Sequence, residues 1–252
     1  MTGPAIVTTL TLRIPQTNAW NEVCERQANW SFNRTMSNRK VFITGGTGYV
    51  GQHLLPELAR RGHEVRALVR EGSEAKVPTG CHTVLGDALD RASFSGKILP
   101  ADTFVQLVGV PHPGPAKIKL FRTIDLASVC ASVAAASAAG IDHFIYVSVA
   151  QPAPVMKAYL EVRAEGEALI RTSGLNATIF RPWYILGPGH RWPCFLLPAY
   201  WLLERLPSTR ATAQRLGLVR LKEMVRALID AVEHPAKGIR LVEVPQIRQS
   251  GR

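Results

Sequence analysis

Residues 40–51 of this 252-residue chain read KVFITGGTGYVG, an apolar run followed directly by a glycine-rich turn. Lys40–Thr44 has the continuous apolar character of a strand buried on both faces, and residues 48–61 have the pattern of a helix. Glycines at a strand–helix turn let the chain turn tightly, approach a pyrophosphate and pack the helix against the sheet. The first free N–H groups of the helix would then face phosphates. A turn without a ligand is the alternative, but a second strand follows in the expected order. The stretch therefore predicts a dinucleotide site that includes Gly45, Thr47, Gly48, Tyr49, Val50 and Gly51.

Downstream of this turn, short β-rich runs alternate with helical stretches. The predicted strands are Lys40–Thr44, Glu64–Val69, His82–Leu85, Thr103–Val108, His143–Val149, Ala177–Arg181 and Arg240–Val244. The predicted helices are 48–61, 118–139, 154–172 and 221–232. Strands joined by helical crossovers imply a doubly wound, parallel α/β sheet. A ligand of such a sheet lies beyond the carboxyl ends of the strands, at the point where the strand order reverses.

The first 38 residues differ from the rest of the chain in having no sustained helical or strand period. We interpret residues 1–38 as a disordered extension or a misassigned start, and residues 39–252 as the folded domain. A transit peptide is a weaker interpretation, because Glu22 and Glu25 lie where such peptides avoid acids. A basic start followed by an apolar run, as in a secretory signal, is absent, which favours a cytoplasmic protein.

Composition excludes several other classes of protein. No apolar run reaches the roughly 20 residues that a membrane-spanning helix needs, so we expect no transmembrane segment. The four cysteines, Cys24, Cys81, Cys130 and Cys194, are far apart and have no histidine pair nearby. This spacing fits neither a metal site nor a small disulfide framework. We therefore expect reduced thiols and no bound metal.

A formal net charge of +11 raises the possibility of nucleic-acid binding. The densest basic cluster is Arg205, Arg210, Arg215, Arg220 and Lys222. A spacing of five residues does not line one face of a helix, and no helix-turn-helix, zinc-finger or aromatic-interleaved pattern accompanies it. We interpret the cluster as a solvated basic surface that attracts anionic ligands, a dinucleotide included, with no specific nucleic-acid partner.

Several segments together resemble a known family. TGGTGYVG, GHEVRALVR, GDALD, HFIYVSV and IFRPWYILGPG are similar to motifs of the extended and atypical short-chain dehydrogenases/reductases, over about residues 40–250. The resemblance implies a Rossmann-type NAD(P)-binding core with a small substrate-side portion at about 183–252. Members of this group include sugar-nucleotide epimerases, NADP sensors of the nitrogen-regulator type and the nucleotide-binding accessory subunit of respiratory complex I.

The resemblance also bears on the choice of cofactor. An NAD site carries a carboxylate at the end of the second strand, and this sequence has Val69 there, followed by Arg70. A guanidinium can hold a 2′-phosphate through paired hydrogen bonds, so NADP(H) is favoured over NAD. An ordinary surface arginine is the alternative for Arg70. The other residues that the resemblance assigns to the cofactor are Asp87, Ala88, Val108, Gly109 and Ser148; for Asp87, a loop carboxylate that caps the next turn is the alternative.

The catalytic residues of the family are altered in this chain. Family enzymes use Tyr-x-x-x-Lys on the helix after the fifth strand, whereas this chain has Tyr159 and Arg163. Tyr159 would transfer a proton and Arg163 would be its electrostatic partner, although a guanidinium does not simply replace an ammonium. Val149 occupies the position of the family's serine, with Ser148 one residue earlier, and Asp125 replaces an asparagine. These departures put ordinary carbonyl/alcohol chemistry in doubt.

Structural roles are the alternatives for this helix. Val155, Tyr159, Val162, Gly166 and Leu169 have the spacing of a buried stripe. Arg163 would then pair with Glu167, one turn further on.

Two further segments bear on the substrate side. Phe195–Leu203, preceded by Arg191-Trp192-Pro193, is hydrophobic nearly all round. It could wall an apolar pocket or lie on a membrane surface, and burial against the domain or a second subunit is the interpretation we favour. His112, in the proline-rich loop 111–115, is expected to be a surface residue.

Two functions are favoured by these residues, and a third, a DNA- or membrane-associated protein, rests only on the net charge and on Phe195–Leu203. The first is an NADP(H)-dependent oxidoreductase or epimerase acting on a small, fairly apolar carbonyl or alcohol. The second is a protein that binds NADP(H) without turnover, as a redox sensor or assembly subunit. The partners expected are a small-molecule substrate or none, with peripheral membrane contact possible and a monomeric or homodimeric state.

Overall fold

The computed structural model of the chain describes residues 38–189, 203 and 205–250. The proposed extension at residues 1–38 lies outside the described residues apart from Asn38. The segment Arg191-Trp192-Pro193 and all of Phe195–Leu203 except Leu203 also lie outside them.

Seven parallel strands form the central sheet, in the order β3-β2-β1-β4-β5-β6-β9. Their bounds are β1 Lys40–Thr44, β2 Glu64–Val69, β3 Cys81–Leu85, β4 Thr103–Gln106, β5 His143–Val147, β6 Ala177–Arg181 and β9 Ile239–Glu243. The strand order reverses between β1 and β4, which is where a ligand binds in sheets of this type. A separate parallel pair consists of β7 (Tyr184–Leu186) and β8 (Leu218–Arg220). The predicted doubly wound α/β sheet is therefore confirmed.

Helices cover both faces of this sheet. They are α1 Gly51–Arg60, α2 Arg91–Phe94, α3 Pro115–Ala138, α4 Lys157–Thr172, α5 Pro207–Arg215, α6 Leu221–Glu233 and α7 Val244–Gln249. Successive side chains of a strand point to opposite faces. Accordingly, Val41 and Ile43 of β1 pack with the apolar residues of α1, α6 and α7, whereas Phe42 packs on the other face with those of α3 and α4. Both faces of the strand are buried, as its continuous apolar sequence indicates.

Helix α3 joins β4 to β5 and contains a π-helical segment, Phe121–Leu126. It is the one helix among the described residues that is long and apolar enough to cross a membrane, and half of its apolar window is buried inside the fold. A crossover helix packed on a sheet meets the same criteria of length and composition. Gly140, with φ of +66°, follows the helix end and supplies the predicted stop.

Several predicted boundaries differ from the structure by one to three residues, including the end of β5, which is at Val147 rather than Val149. Three of the differences have local reasons. Strand β4 ends at Gln106 rather than Val108, because the Val108 N–H donates to the Gln106 side chain (3.0 Å) instead of to a neighbouring strand. Helix α4 begins at Lys157 rather than Pro154, since Met156 has a left-handed φ of 61°. Helix α1 begins at Gly51 rather than Gly48, because the turn continues to Val50. The short elements α2, β7, β8, α5 and α7 were not predicted.

Candidate functional site

The glycine-rich turn between β1 and α1 is so closely packed against backbone atoms that Gly45 and Gly51 have no room for a side chain. Gly45 has φ of +76°, and a Cβ atom there would lie 2.7 Å from both the Leu107 carbonyl carbon and the Val108 nitrogen. A Cβ at Gly51 would lie 2.6 Å from the Gly45 oxygen. The Gly48 N–H donates to that same oxygen (3.0 Å) and closes the turn. Glycine at 45 therefore lets the end of β1 approach the end of β4.

A groove of about 410 Å³ opens beside this turn, at the carboxyl ends of β1 to β4. Most of the residues assigned to the cofactor from the sequence line it: Gly45, Thr47, Gly48, Arg70, Asp87, Ala88, Val108 and Gly109. These residues come from four separate strand ends, so the fold brings them together. Lining residues that the sequence reasoning missed include Ser73, Lys117, Leu120 and Ile124.

Four assigned residues are not among those that line the groove. Tyr49 and Val50 pack against the core on the α1 side, and the space beside Gly187 is filled by the Tyr49 hydroxyl. Gly51 starts α1 behind the turn. Ser148 is buried, and its hydroxyl donates to Glu167 (2.7 Å). These residues support the turn and the sheet rather than face the groove.

Charged side chains occur on both sides of the groove. Arg70 is exposed and follows β2 directly. Asp87 accepts a hydrogen bond from the Leu89 N–H (3.0 Å), so it has the turn-capping contact that was the alternative for it, while it also lines the groove. On the opposite side, the Lys117 ammonium donates to the Pro111 carbonyl.

A series of buried hydrogen bonds holds the end of β4 next to the groove. The Gln106 side chain accepts from the Thr44 hydroxyl and from the Val108 N–H (3.0 Å), and it donates to Ser128 (2.8 Å). Ser128 in turn donates to the Asp125 carbonyl oxygen (2.9 Å). A sequence feature that could have indicated this network is the single glutamine, Gln106, in the otherwise apolar run TFVQLV, since a buried amide needs hydrogen-bond partners.

Arg163 is buried next to Gly109 in the groove wall, and its two terminal nitrogens contact protein groups, whereas its buried Nε atom has no hydrogen-bond partner among the described residues. Its guanidinium forms an ion pair with Asp125 and donates to the Val147 carbonyl (3.0 Å) and the Tyr146 hydroxyl (3.3 Å). Both members of the ion pair are buried. The expected alternative pairing with Glu167 does not occur, because Glu167 faces β6 and pairs with Arg181.

Tyr159 is half-buried and is not among the residues that line the groove, but it packs in a cluster with Val110 and Ile124, which do line it, and so lies at the groove's edge. Its ring lies 5.0 Å from that of Phe121, and the Arg163 guanidinium carbon lies 5.0 Å from the Tyr159 ring centre. Arg163 therefore faces the ring rather than hydrogen-bonding to the phenol oxygen. The surrounding side chains, Val110, Phe121, Ile124, Leu126 and Val162, form a small apolar cluster.

The buried face of α4 overlaps the predicted stripe only at Val162 and Gly166. The helix buries Val162, Arg163, Gly166, Glu167 and Ile170, whereas Val155 precedes the helix and is exposed. Two charged side chains are thus on the buried face, each with a partner from another element.

Burial is the largest cause of the pKa shifts of Tyr146 and Asp125, the two ionisable groups that contact the Arg163 guanidinium. It raises the pKa of the Tyr146 hydroxyl, and the charge of Arg163 opposes that shift. Burial likewise raises the pKa of the Asp125 carboxyl, against the opposing effect of Arg163. The Asp125 carboxylate oxygens also accept from the Val110 N–H (3.3 Å each).

Comparison with known proteins identifies the family. Residues 45–190 match the family model described as NAD(P)H-binding, which is more than half of the chain. The chain belongs to this NAD(P)H-binding family. The matched range begins at the glycine-rich turn and includes every lining residue of the groove.

Relatives and solved structures agree with this assignment. The chain is 29% identical to a ceramide reductase of Caulobacter vibrioides over 223 residues, covering 84% of this chain and 66% of that protein. It is 29% identical to a 3-diazoavenalumate denitrifying reductase of Streptomyces, covering 79% and 74%. The Bordetella bronchiseptica enzyme WbmH in complex with NAD⁺ has the same fold, with a TM-score of 0.62, 21% identity and coverage of 81% and 76%. The chain spans just under two thirds of the ceramide reductase it matches.

These findings confirm the resemblance to short-chain dehydrogenases/reductases and the Rossmann-type fold. The protein is a member of an NAD(P)H-binding family, and proteins named reductases are among its relatives. In the part of the chain that the structure describes, no group of three His, Cys, Asp or Glu side chains could hold a metal ion. Of the basic cluster, Arg205, Arg210, Arg220 and Lys222 are exposed, and Arg215 is half-buried with a hydrogen bond to the Pro152 carbonyl (3.1 Å).

Proposed function

We propose that this protein is an NADP(H)-dependent oxidoreductase that reduces a carbonyl group in a fairly apolar small molecule. The observation that carries the proposal is the groove at the strand-order reversal, with Arg70 at its edge. An NAD site would present a carboxylate to the ribose at the end of β2. Here Val69 ends that strand and Arg70, an exposed cation, follows.

The assignment of roles follows from the groove. Backbone N–H groups of the Gly45–Gly51 turn bind the diphosphate, and the guanidinium of Arg70 binds the 2′-phosphate in a charge-assisted contact. The backbone of Val108 and Gly109 lies along the adenosine side. When bound, the reduced nicotinamide supplies a hydride to the substrate carbon.

Tyr159 is the candidate proton donor in this scheme. It lies at the groove's edge beside Val110 and Ile124, and both of those residues also line the groove. As the hydride reaches the carbonyl carbon, the phenol would give its proton to the developing alkoxide oxygen.

An apolar substrate is supported by the surface around this edge. Ile118, Leu120 and Val155 are 51%, 41% and 51% exposed, and they lie at the start of α3 and just before α4. Exposed apolar side chains beside a concave site are typical of a binding surface. The relatives include proteins named ceramide reductase and 3-beta-hydroxysteroid dehydrogenase, whose names refer to apolar compounds.

Titration with NADPH and NADH tests the cofactor. Arg70→Ala is expected to weaken NADPH binding at least about tenfold, because it removes a charge-assisted contact, and to leave NADH binding nearly unchanged. Arg210→Ala removes an exposed arginine on α5, outside the groove, and is the matched control. Equal losses for NADPH and NADH in Arg70→Ala would contradict the 2′-phosphate role.

Turnover is tested by the loss of NADPH absorbance with aldehydes, ketones and quinones. Tyr159→Phe is expected to lower kcat by about 100-fold, the usual contribution of general acid catalysis, while NADPH still binds. Wild-type turnover that persists unchanged in Tyr159→Phe would refute the proton-donor role.

A cofactor-binding protein without turnover is the second candidate, and the position of Arg163 favours it. The pairing of Arg163 with Asp125 leaves Tyr159 without a cationic partner for its hydroxyl among the described residues. One relative, 27% identical over 144 residues, is named photosystem II assembly factor Ycf39. Tight NADPH binding with no turnover across the substrate panel would support this second function.

A further inference from the structure

We propose that Arg163 and Asp125 form a buried clamp that positions the groove wall at Val108–Val110, and that Arg163 does not serve as the lysine of a Tyr-x-x-x-Lys pair. This inference rests on the proposed function, because the wall is assigned to the cofactor there. Arg163 and Asp125 are positioning residues in this account.

The clamp connects α3, α4 and β5 to the loop after β4, which lines the groove. Asp125 lies in the π-helical segment of α3, and both of its carboxylate oxygens accept from the Val110 N–H (3.3 Å). Arg163 on α4 pairs with that carboxylate and donates to the carbonyl of Val147, the last residue of β5 (3.0 Å). The loop after β4 is therefore tied to α3, α4 and β5 through one buried ion pair.

The guanidinium also lies directly against the wall. A Cβ atom at Gly109 would lie 2.5 Å from the Arg163 Nη2 atom and 3.1 Å from the Asp125 Oδ1 atom. Gly109 is thus the point at which the groove wall contacts the clamp. At this point only the backbone of Gly109 lies between the Arg163 guanidinium and the groove.

A planar guanidinium suits this place better than an ammonium. Arg163 reaches a carboxylate, a carbonyl and the Tyr146 hydroxyl at once, through a rigid fork. A lysine has a single, shorter-reaching nitrogen and cannot keep all three contacts in the same geometry. Replacement of the family's lysine by arginine is therefore explained by a different task for the side chain.

Arg163→Lys separates the two roles. A catalytic role predicts that the family's lysine raises kcat and leaves NADPH binding unchanged. The clamp predicts that Arg163→Lys weakens NADPH binding about tenfold, comparable to the loss of one net hydrogen bond, and does not raise kcat. Arg171→Lys, the same change at an exposed position of the same helix, is the control and should bind NADPH as the wild type does.

Hydrogen exchange of the Val110 amide gives a readout that needs no cofactor. The amide should exchange at least about tenfold faster in Arg163→Lys and Asp125→Ala than in the wild type, because its acceptor is displaced or removed. Arg163→Met with Asp125→Leu removes both charges and should be no worse in NADPH affinity than Arg163→Met alone, since it leaves no unpaired buried charge. If a single variant does not fold, the double variant is compared with the wild type instead, and its Val110 amide should still exchange at least about tenfold faster because the acceptor is gone.

The outcomes distinguish the clamp from the proposed function. If the wild type binds no NADPH, the proposed function fails, while the exchange rates still test the clamp. If the wild type binds NADPH and Arg163→Lys shows unchanged affinity, unchanged Val110 exchange or a higher kcat, the clamp is wrong.

Discussion

Gly45→Ala tests whether the approach of β1 to β4 builds the cofactor groove. An alanine at φ of +76° has a cost of about 1–2 kcal/mol from its left-handed conformation. Its Cβ would also lie 2.7 Å from two backbone atoms at Leu107 and Val108, closer than packed carbon atoms allow. Relief of that contact requires backbone movement, which costs about 1–3 kcal/mol more. We therefore expect a loss of about 2–5 kcal/mol in the free energy of unfolding, measured by urea denaturation.

Gly174→Ala is the matched control for this experiment. Gly174 has nearly the same φ, +77°, but no atom lies within 4 Å of the position its Cβ would take. Both variants restrict the unfolded chain equally, so the difference between them isolates the contact with β4. NADPH affinity should fall at least about tenfold in Gly45→Ala alone, since displaced amides lose their phosphate contacts. Equal stability and equal NADPH affinity in the two variants would refute the reasoning.

Two other predictions concern buried ionisable side chains that the proposed reaction does not use. Burial and the charge of Arg240 lower the pKa of His143 to about 4, so in acid the unfolded chain takes up the proton before the folded one. The free energy of unfolding should therefore fall by about 2 kcal/mol between about pH 7.5 and about pH 5. The variant His143→Gln should lose this pH dependence, whereas His82→Gln, at an exposed position, should keep it. An unchanged pH profile in His143→Gln would contradict the assignment to His143. Glu167→Ala should cost about 3–5 kcal/mol in urea unfolding, because Arg181 loses its hydrogen-bonded carboxylate and keeps only Glu243 at 3.8 Å. Glu165→Ala, in an exposed pair, should cost less than about 1 kcal/mol. Similar costs for the two variants would show that the burial of Glu167 does not matter.

The sequence by itself determined the order of the main strands and helices, the glycine-rich turn and the family. These features depend on local patterns: continuous apolar runs predict strands buried on both faces, and a left-handed turn residue requires glycine. Lys40–Thr44, Glu64–Val69 and Ala177–Arg181 were predicted with their observed bounds. The assignment of Arg70, Asp87 and Gly109 to one groove was also possible from the sequence, because parallel strands end at the same edge of the sheet.

The tertiary structure alone decided which polar side chains meet beneath that edge. Asp125 and Arg163 are 38 residues apart, and their contact depends on how α3, with its π-helical segment, packs beside α4. A helical period identifies a face but not the partner opposite it, so the spacing suggested Glu167 for Arg163 where the packing provides Asp125. Ser148, the residue after β5, likewise donates to Glu167 on α4 and does not line the groove, because α4 packs over that end of the strand.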